Sequence, residues 1–194
     1  MPPRSTPVLT EGEGLHGAAR VRAVSAVALS VLLALLDYAI ANVALPTIAQ
    51  DIHVSPASAV WIVNSYQLAS VVSLLPMAAL GSRIGFARLC QIGLALLTVA
   101  SLFCALSHSL LMLSLARAVQ GVGGACIMSV SIALIRFIYP HAILGRGIAL
   151  NGVMVALGVG GGPTVASIIL TVATWPWLFL INIPLGVPAL VLAR

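Results

Sequence analysis

The sequence predicts an all-α membrane protein with six transmembrane helices. Three observations carry that prediction. Hydrophobic residues fill 61% of the 194 positions and charged residues only 7%, against about 25% charged in a soluble domain. Mean hydropathy is +1.16, more apolar surface than a chain of this length can hide from water. The apolar residues form six runs long enough to cross a bilayer as helices. The basic residues alternate from one side of those runs to the other.

The predicted spans are residues 23–45, 57–80, 89–107, 110–135, 148–172 and 177–193. Lipid forces each segment to pair its own backbone groups, which makes the segments helical. Alternating ten-residue strands of the outer-membrane type are absent. All nine basic residues are arginine. Arg4, Arg20 and Arg22 precede span one, and Arg83 and Arg88 separate spans two and three. Arg136 and Arg146 flank the connection between spans four and five, and Arg194 follows span six. The other three connections carry no arginine. This positive-inside pattern places both termini in the cytoplasm and the chain in the cell (inner) membrane as a multi-pass protein. Topology and anionic lipid headgroups account for the net charge of +5, so no nucleic-acid partner is expected. Trp61, Trp175 and Trp177 lie near the outer ends of spans, where aromatic anchors belong.

Residues 1–21 are expected to form a disordered cytoplasmic tail, and 22–194 the six-helix bundle. The tail is not a signal peptide, because the apolar run after it is too long and five more follow. Cys90, Cys104 and Cys126 lack metal-ligand spacing and read as small packing residues. The four histidines fall in the tail or in loops. No metal, no cofactor and no nucleophile–base constellation is expected, so the chain does not read as an enzyme.

Two charges lie well inside the spans, Asp37 and Arg117. A charge at the centre of a membrane helix costs about 2.5–3.5 kcal/mol on insertion scales. At 1.5 Å rise per residue, both sit about 11 Å below the outer end of their spans. Opposite charges at one depth invite pairing. Ala34, Ala41 and Ala44 neighbour Asp37, and Ser114, Gln120, Gly121 and Gly124 neighbour Arg117. Such small residues mark helix contacts, so both charges are expected to face protein. The pair reads either as a static packing device or as a site that changes charge during transport. Burial disfavours the carboxylate and a nearby arginine favours it. An aspartate between those influences can take up or release a proton as its surroundings alternate.

Tyr38 and Asn42 in span one, Asn64, Tyr66 and Gln67 in span two, and Gln120 in span four are candidates for lining a cavity. For the span-two cluster, hydrogen bonds between helices are an equal alternative. Span five holds Gly158, Gly160, Gly161, Gly162 and Pro163. That pattern reads as a closely packed helix at a moving interface, or as a static small-residue contact. Gly121, Gly123 and Gly124 in span four offer a complementary smooth face.

Five segments in order resemble the major facilitator superfamily, in its EmrB/QacA-type drug:proton antiporter branch. LLDYAIANVALP resembles the first-helix motif and WIVNSYQLA the second-helix segment. LARAVQGVGG matches motif B at Arg117, Gln120, Gly121 and Gly123. GVGGGP matches motif C at Gly158, Gly162 and Pro163, and WPWLFLINIPLG is similar to the segment opening helix six. The resemblance implies one half-bundle built as a 3+3 inverted repeat. It implies that Arg117 takes part in proton coupling, with Asp37 a candidate for proton or cationic-substrate binding. It further implies that motif C shapes the interface between two six-helix halves. AALGSRIGFARL is a degenerate motif A that keeps Arg83 and Gly85, while Ser82 stands where the family has aspartate.

The function implied is proton-coupled export of small amphipathic compounds, with protons and a small molecule as ligands and the bilayer as solvent. Family members have twelve or fourteen helices, so the chain is expected to be the N-terminal half. It would need the missing C-terminal half or a second bundle. Alternatives are a metabolite transporter of the same fold and a non-transporting half-bundle or membrane interaction partner.

Overall fold

The computed structural model describes residues 14, 15 and 17–193. Every regular element among them is helical: α1 Gly17–Asp51, α2 Pro56–Ile84, α3 Phe86–Ala105, α4 Leu110–Ile138, α5 Leu144–Val172, α6 Pro176–Leu180 and α7 Asn182–Leu192. A 3₁₀ turn, His141–Ile143, leads into α5. Helices α1 to α5 are long and apolar enough to cross a membrane.

The helices depart from the predicted spans by one to six residues at most ends, α1 running on to Asp51 and α5 starting at Leu144, and two departures go further. The expected tail falls mostly outside the described residues, but from Gly17 the chain is already helical. Ala18, Ala19, Arg20 and Arg22 are good helix formers, and no proline interrupts them. The sixth span is also divided, at Ile181. Pro184 lacks the N–H that would bond the Leu180 carbonyl, and its ring crowds that carbonyl.

Local chemistry sets the other ends. Ser55 and Ser109 cap α2 and α4, their hydroxyls accepting from the Ser58 and Met112 amides at 3.1 and 3.3 Å. Gly85, at φ 99°, makes the turn between α2 and α3, a conformation that side-chain-bearing residues avoid.

Helix α4 packs along α2 and α3, and α1 packs along α5 and α7. The starts of α1 and α3 and the ends of α4 and α7 meet at one end of the bundle. There the Leu15 amide donates to the Ile138 carbonyl at 2.9 Å, and Arg20 lies 6.0 Å from the Tyr139 ring. At the opposite end the Trp175 indole donates to Asp51 at 2.7 Å. Trp175 is therefore no lipid anchor: it is 4% exposed, whereas Trp61 and Trp177 are 56% and 57% exposed. Two apolar clusters fill the interior. Val31, Leu33, Leu94, Leu97, Ile127 and Val130 belong to one; Ile40, Ile48, Ile62, Leu113 and Phe179 belong to the other.

Gly158 and Gly162 let α5 lie directly on α1. A methyl at Gly162 would overlap the Ala39 side chain, and one at Gly158 would come within 2.6 Å of the Leu35 Cβ. Gly152, Gly160 and Gly161 meet nothing within 4 Å. Overpacking costs about 1–3 kcal/mol, while Ala in place of an unconstrained helical Gly gains roughly 0.5–1 kcal/mol. Gly162→Ala is accordingly expected to lower the thermal unfolding midpoint in detergent, and Gly152→Ala to hold or raise it.

Candidate functional site

The side chains of Asp37 and Arg117 meet between the two apolar clusters. Asp37 projects from α1 and Arg117 from α4, and the Arg117 NH1 to Asp37 Oδ2 distance is 2.6 Å. Neither is reachable from outside: Asp37 is 1% exposed and Arg117 0%. Close approach of α2 to α4 completes the enclosure. Gly121 has no side chain to hold α2 off, and a methyl at Gly124 would come within 2.6 Å of the Tyr66 hydroxyl. The Tyr66 ring therefore lies over the guanidinium, 4.3 Å from ring centre to Cζ. Phe179 of α6 covers it at 5.7 Å. Cation–π contacts of this kind strengthen when water is excluded.

Two more helices, α3 and α7, reach the pair through polar side chains, joined by Gln120 of α4. Gln120 and Asn182 donate their amide N–H groups to Asp37 Oδ1, at 3.0 and 2.6 Å. Both also donate to Ser101 Oγ, at 2.7 and 3.0 Å. Ser101 gives its own proton to the Leu97 carbonyl at 2.8 Å. Gln120 Oε1 accepts from Arg117 NH1 at 2.9 Å and from the Cys104 thiol at 3.0 Å. Asp37 thus accepts three N–H bonds, an arrangement that suits the ionised form. Arg117 Nε and NH2 and Asn182 Oδ1 are buried with no partner among the described residues.

Ser101, Cys104 and Asn182 were not among the sequence candidates. One signal could have found Asn182: it is a polar residue inside an apolar span, as Asp37 is. Ser101 carries no such signal, since a serine in a helix commonly bonds its own backbone.

The cavity candidates separate. Tyr38, Tyr66 and Gln67, with Ala34, Ser70 and Met128, line a cavity of about 360 Å³ between α1, α2 and α4. The Gln67 amide donates to the Tyr38 hydroxyl at 3.2 Å. The two tyrosine rings are 6.0 Å apart, and the Tyr66 hydroxyl donates to the Ala34 carbonyl at 3.3 Å. Gln120 does not line this cavity; it is fully buried against the ion pair. Asn42 is exposed and its amide donates to the Tyr38 carbonyl at 2.9 Å. Asn64 is half-buried on the same helix as Gln67 and does not line the cavity. Asp37 does not line it either, so a cationic guest there would meet the Tyr66 ring and not the carboxylate. Gly123 packs on α3, a methyl there coming within 2.8 Å of the Gly93 carbonyl. Pro163 and Arg83 are exposed, and Gly85 makes its turn at the end of α2. Among the described residues no group of three or more His, Cys, Asp or Glu side chains could hold a metal ion.

Removing one partner of a buried pair strands the other charge and costs about 3–5 kcal/mol, while replacing both by apolar groups is often neutral. Asp37→Leu and Arg117→Met are each expected to destabilise the protein by about that amount. The double variant should recover most of the loss. Denaturant unfolding of the three variants in mixed micelles measures this.

Comparison with known proteins places the chain in a family. The Major Facilitator Superfamily model matches residues 27–194. The uncharacterized transporter YebQ of Escherichia coli strain K12 is 52% identical over 183 residues, covering 94% of this chain and 40% of that protein. The riboflavin transporter RibZ of Clostridioides difficile is 32% identical over 166 residues, 86% of this chain and 36% of that one. The tetracenomycin C resistance and export protein of Streptomyces glaucescens is 34% identical over 166 residues, 86% of this chain and 31% of that one. The chain thus spans 31–40% of the length of these relatives. Two solved structures share the fold. A bacterial homolog of the lysosomal transporter Spinster superposes with TM-score 0.72 at 18% identity, covering 92% of this chain and 42% of that one. The proton:xylose symporter XylE gives TM-score 0.74 at 15% identity, covering 91% and 44%. With its helical bundle shared by transporters and a family match that takes in α2 to α7 and most of α1, this membrane chain belongs to the Major Facilitator Superfamily.

Proposed function

We propose that this chain is the N-terminal six-helix half of a proton-coupled exporter of small amphipathic compounds. The observation that carries the reading is the enclosed Asp37–Arg117 pair. The carboxylate is held at mid-bundle by one guanidinium and two amide N–H groups, all of them donors that a protonated carboxyl could not offer its O–H to. Intramembrane ionisable residues of this kind mark proton and substrate pathways. The tetracenomycin C exporter among the relatives supports the export direction.

The rest of the arrangement fits. Every arginine described apart from Arg117 lies near one end of the bundle, which we assign to the cytoplasm. The six spans then form two three-helix units of opposite direction, with both termini cytoplasmic and the chain crossing the inner membrane repeatedly. A second bundle would cover α2 and α5, the least buried of the long helices. Val71, Val72 and Leu75 on α2 are 72–79% exposed, and Gly160 and Gly161 on α5 face open space. The Tyr38–Tyr66–Gln67 cavity is our candidate for this half's share of the substrate site, with substrate, protons and lipid as its partners.

Asp37→Asn in the full-length transporter is expected to abolish efflux driven by a pH gradient while leaving membrane insertion intact. Dye export from everted vesicles, with immunodetection of the inserted protein, measures both. Undiminished export overturns proton coupling through Asp37. The 32%-identical riboflavin transporter favours a second reading, a metabolite as cargo. Competition between dye and riboflavin-like heterocycles in the same vesicles separates the two.

A further inference from the structure

We propose that Asn182 reads the charge state of Asp37 and passes it to the break between α6 and α7, acting as a positioning residue for the sixth span. The inference rests on the proton-coupled reading above and names how the site would move the bundle.

Asn182 is the first residue of α7, directly after the break at Ile181. Pro184 removes a backbone bond across that break, so the backbone holds α6 and α7 together less firmly there. The Asn182 side chain is fully buried. Its Nδ2 donates to Asp37 Oδ1 at 2.6 Å and to Ser101 Oγ at 3.0 Å. Its Oδ1 is buried without a partner among the described residues. One amide thus ties α7 to α1 and α3, and one of its two ends is free.

Donor and acceptor counting fixes which end faces Asp37. Ser101 spends its proton on the Leu97 carbonyl, so it accepts from Asn182. A carboxylate also accepts only. Both neighbours therefore call for the NH₂ end, and the observed orientation matches an ionised Asp37. Protonation changes this. A proton from bulk water forms an O–H bond on Asp37, and the neutral acid must then donate. The NH₂ of Asn182 cannot accept that proton. The amide must rotate to offer its idle Oδ1, or withdraw. Rotation also turns Nδ2 away from Ser101, so α7 loses this hydrogen bond to α3 at the weak point of the span. A charge-assisted bond is roughly twice as strong as a neutral one, so even a retained contact weakens.

Other groups around Asp37 lack this property. Arg117 on α4 has no acceptor atom. Tyr66 on α2 donates to the Ala34 carbonyl, and Cys104 on α3 donates to Gln120. Tyr38 on α1 takes its contact from Gln67, and α5 has no titratable residue between Gly147 and Val172. Gln120 is an amide too, but Arg117 and Cys104 already occupy its oxygen. Asn182 alone among these side chains combines a bond to Asp37, a free acceptor and a position at a helix break.

Amide hydrogen exchange of the full-length protein in lipid nanodiscs tests the proposal. Asp37→Asn removes the charge while keeping the shape. It is expected to speed exchange in α7 by about tenfold or more, and Asn182→Ala should do the same. The double variant should exchange no faster than either single one, because both cut the same link. Multiplying effects, or no change in α7 on Asp37→Asn, overturn the proposal. If Asn182→Ala does not fold, Asp37→Asn alone decides: a rise centred on residues 182–192 supports it, and an equal rise in α3 around Ser101 overturns it. The readout requires no transport. Coupled exchange together with undiminished export by Asp37→Asn would therefore overturn proton-driven export while leaving the Asn182 link standing.

Discussion

Asp37 and Arg117 carry opposite charges at the middle of an apolar bundle, and most of the structure around them follows from that placement. Desolvating either charge alone would cost several kcal/mol, and lipid offers it no alternative partner. The two helices that carry them must therefore come together, and their remaining lone pairs and protons must be met. Gln120, Ser101 and Asn182 meet several of them, drawn from α4, α3 and α7. Tyr66 and Phe179 close over the guanidinium from α2 and α6. Six of the seven helices thus touch one polar cluster. An apolar core gives packing without direction, whereas this cluster specifies which face of each helix turns inward.

Small residues make the cluster geometrically attainable. Gly121 and Gly124 allow the α2 backbone and the Tyr66 ring to reach α4, and Gly158 and Gly162 allow α5 to lie on α1. Without lipid-excluded hydrophobic gain to drive helices together, close van der Waals contact has to supply the association. The span-five glycines, read in the sequence as one closely packed interface, divide into two sets in three dimensions. Gly158 and Gly162 face inward and are spent within this bundle, while Gly160 and Gly161 look outward. A helix contact and an open face therefore share a single short glycine run.

The site is best described as two compartments with one shared wall. On one side lies the buried charged cluster; on the other lies the cavity of Tyr38, Gln67 and Ser70. Tyr66 belongs to both, with its ring over Arg117 and lining the cavity as well. In the proposed substrate site a guest would meet the charge pair only through this aromatic ring. In the proposed transport cycle this separation keeps cargo from competing directly for the Asp37 carboxylate.

Much of this was legible in the sequence. Hydropathy showed the helical membrane class, because a lipid solvent imposes length and composition on each span. Motifs named the family, and the shared depth of Asp37 and Arg117 suggested their meeting. Those are properties of single segments, or of segments compared by position along a common axis. Asn182 stood out only as a polar residue in an apolar span; where it and Ser101 point was beyond the sequence's reach, because that depends on the rotation of α3 and α7 about their axes, which sequence separation does not set. Helical rotation also decided that Gln120 faces the ion pair and Asn42 does not face the cavity. The inward turn of Trp175 to Asp51 followed from the path of a loop, not from aromatic preference. The sequence by itself determined the solvent, the helical elements and the two charges that had to pair. Only the tertiary structure decided what surrounds them, because a polar side chain finds its partners across helices, at distances that local periodicity does not encode.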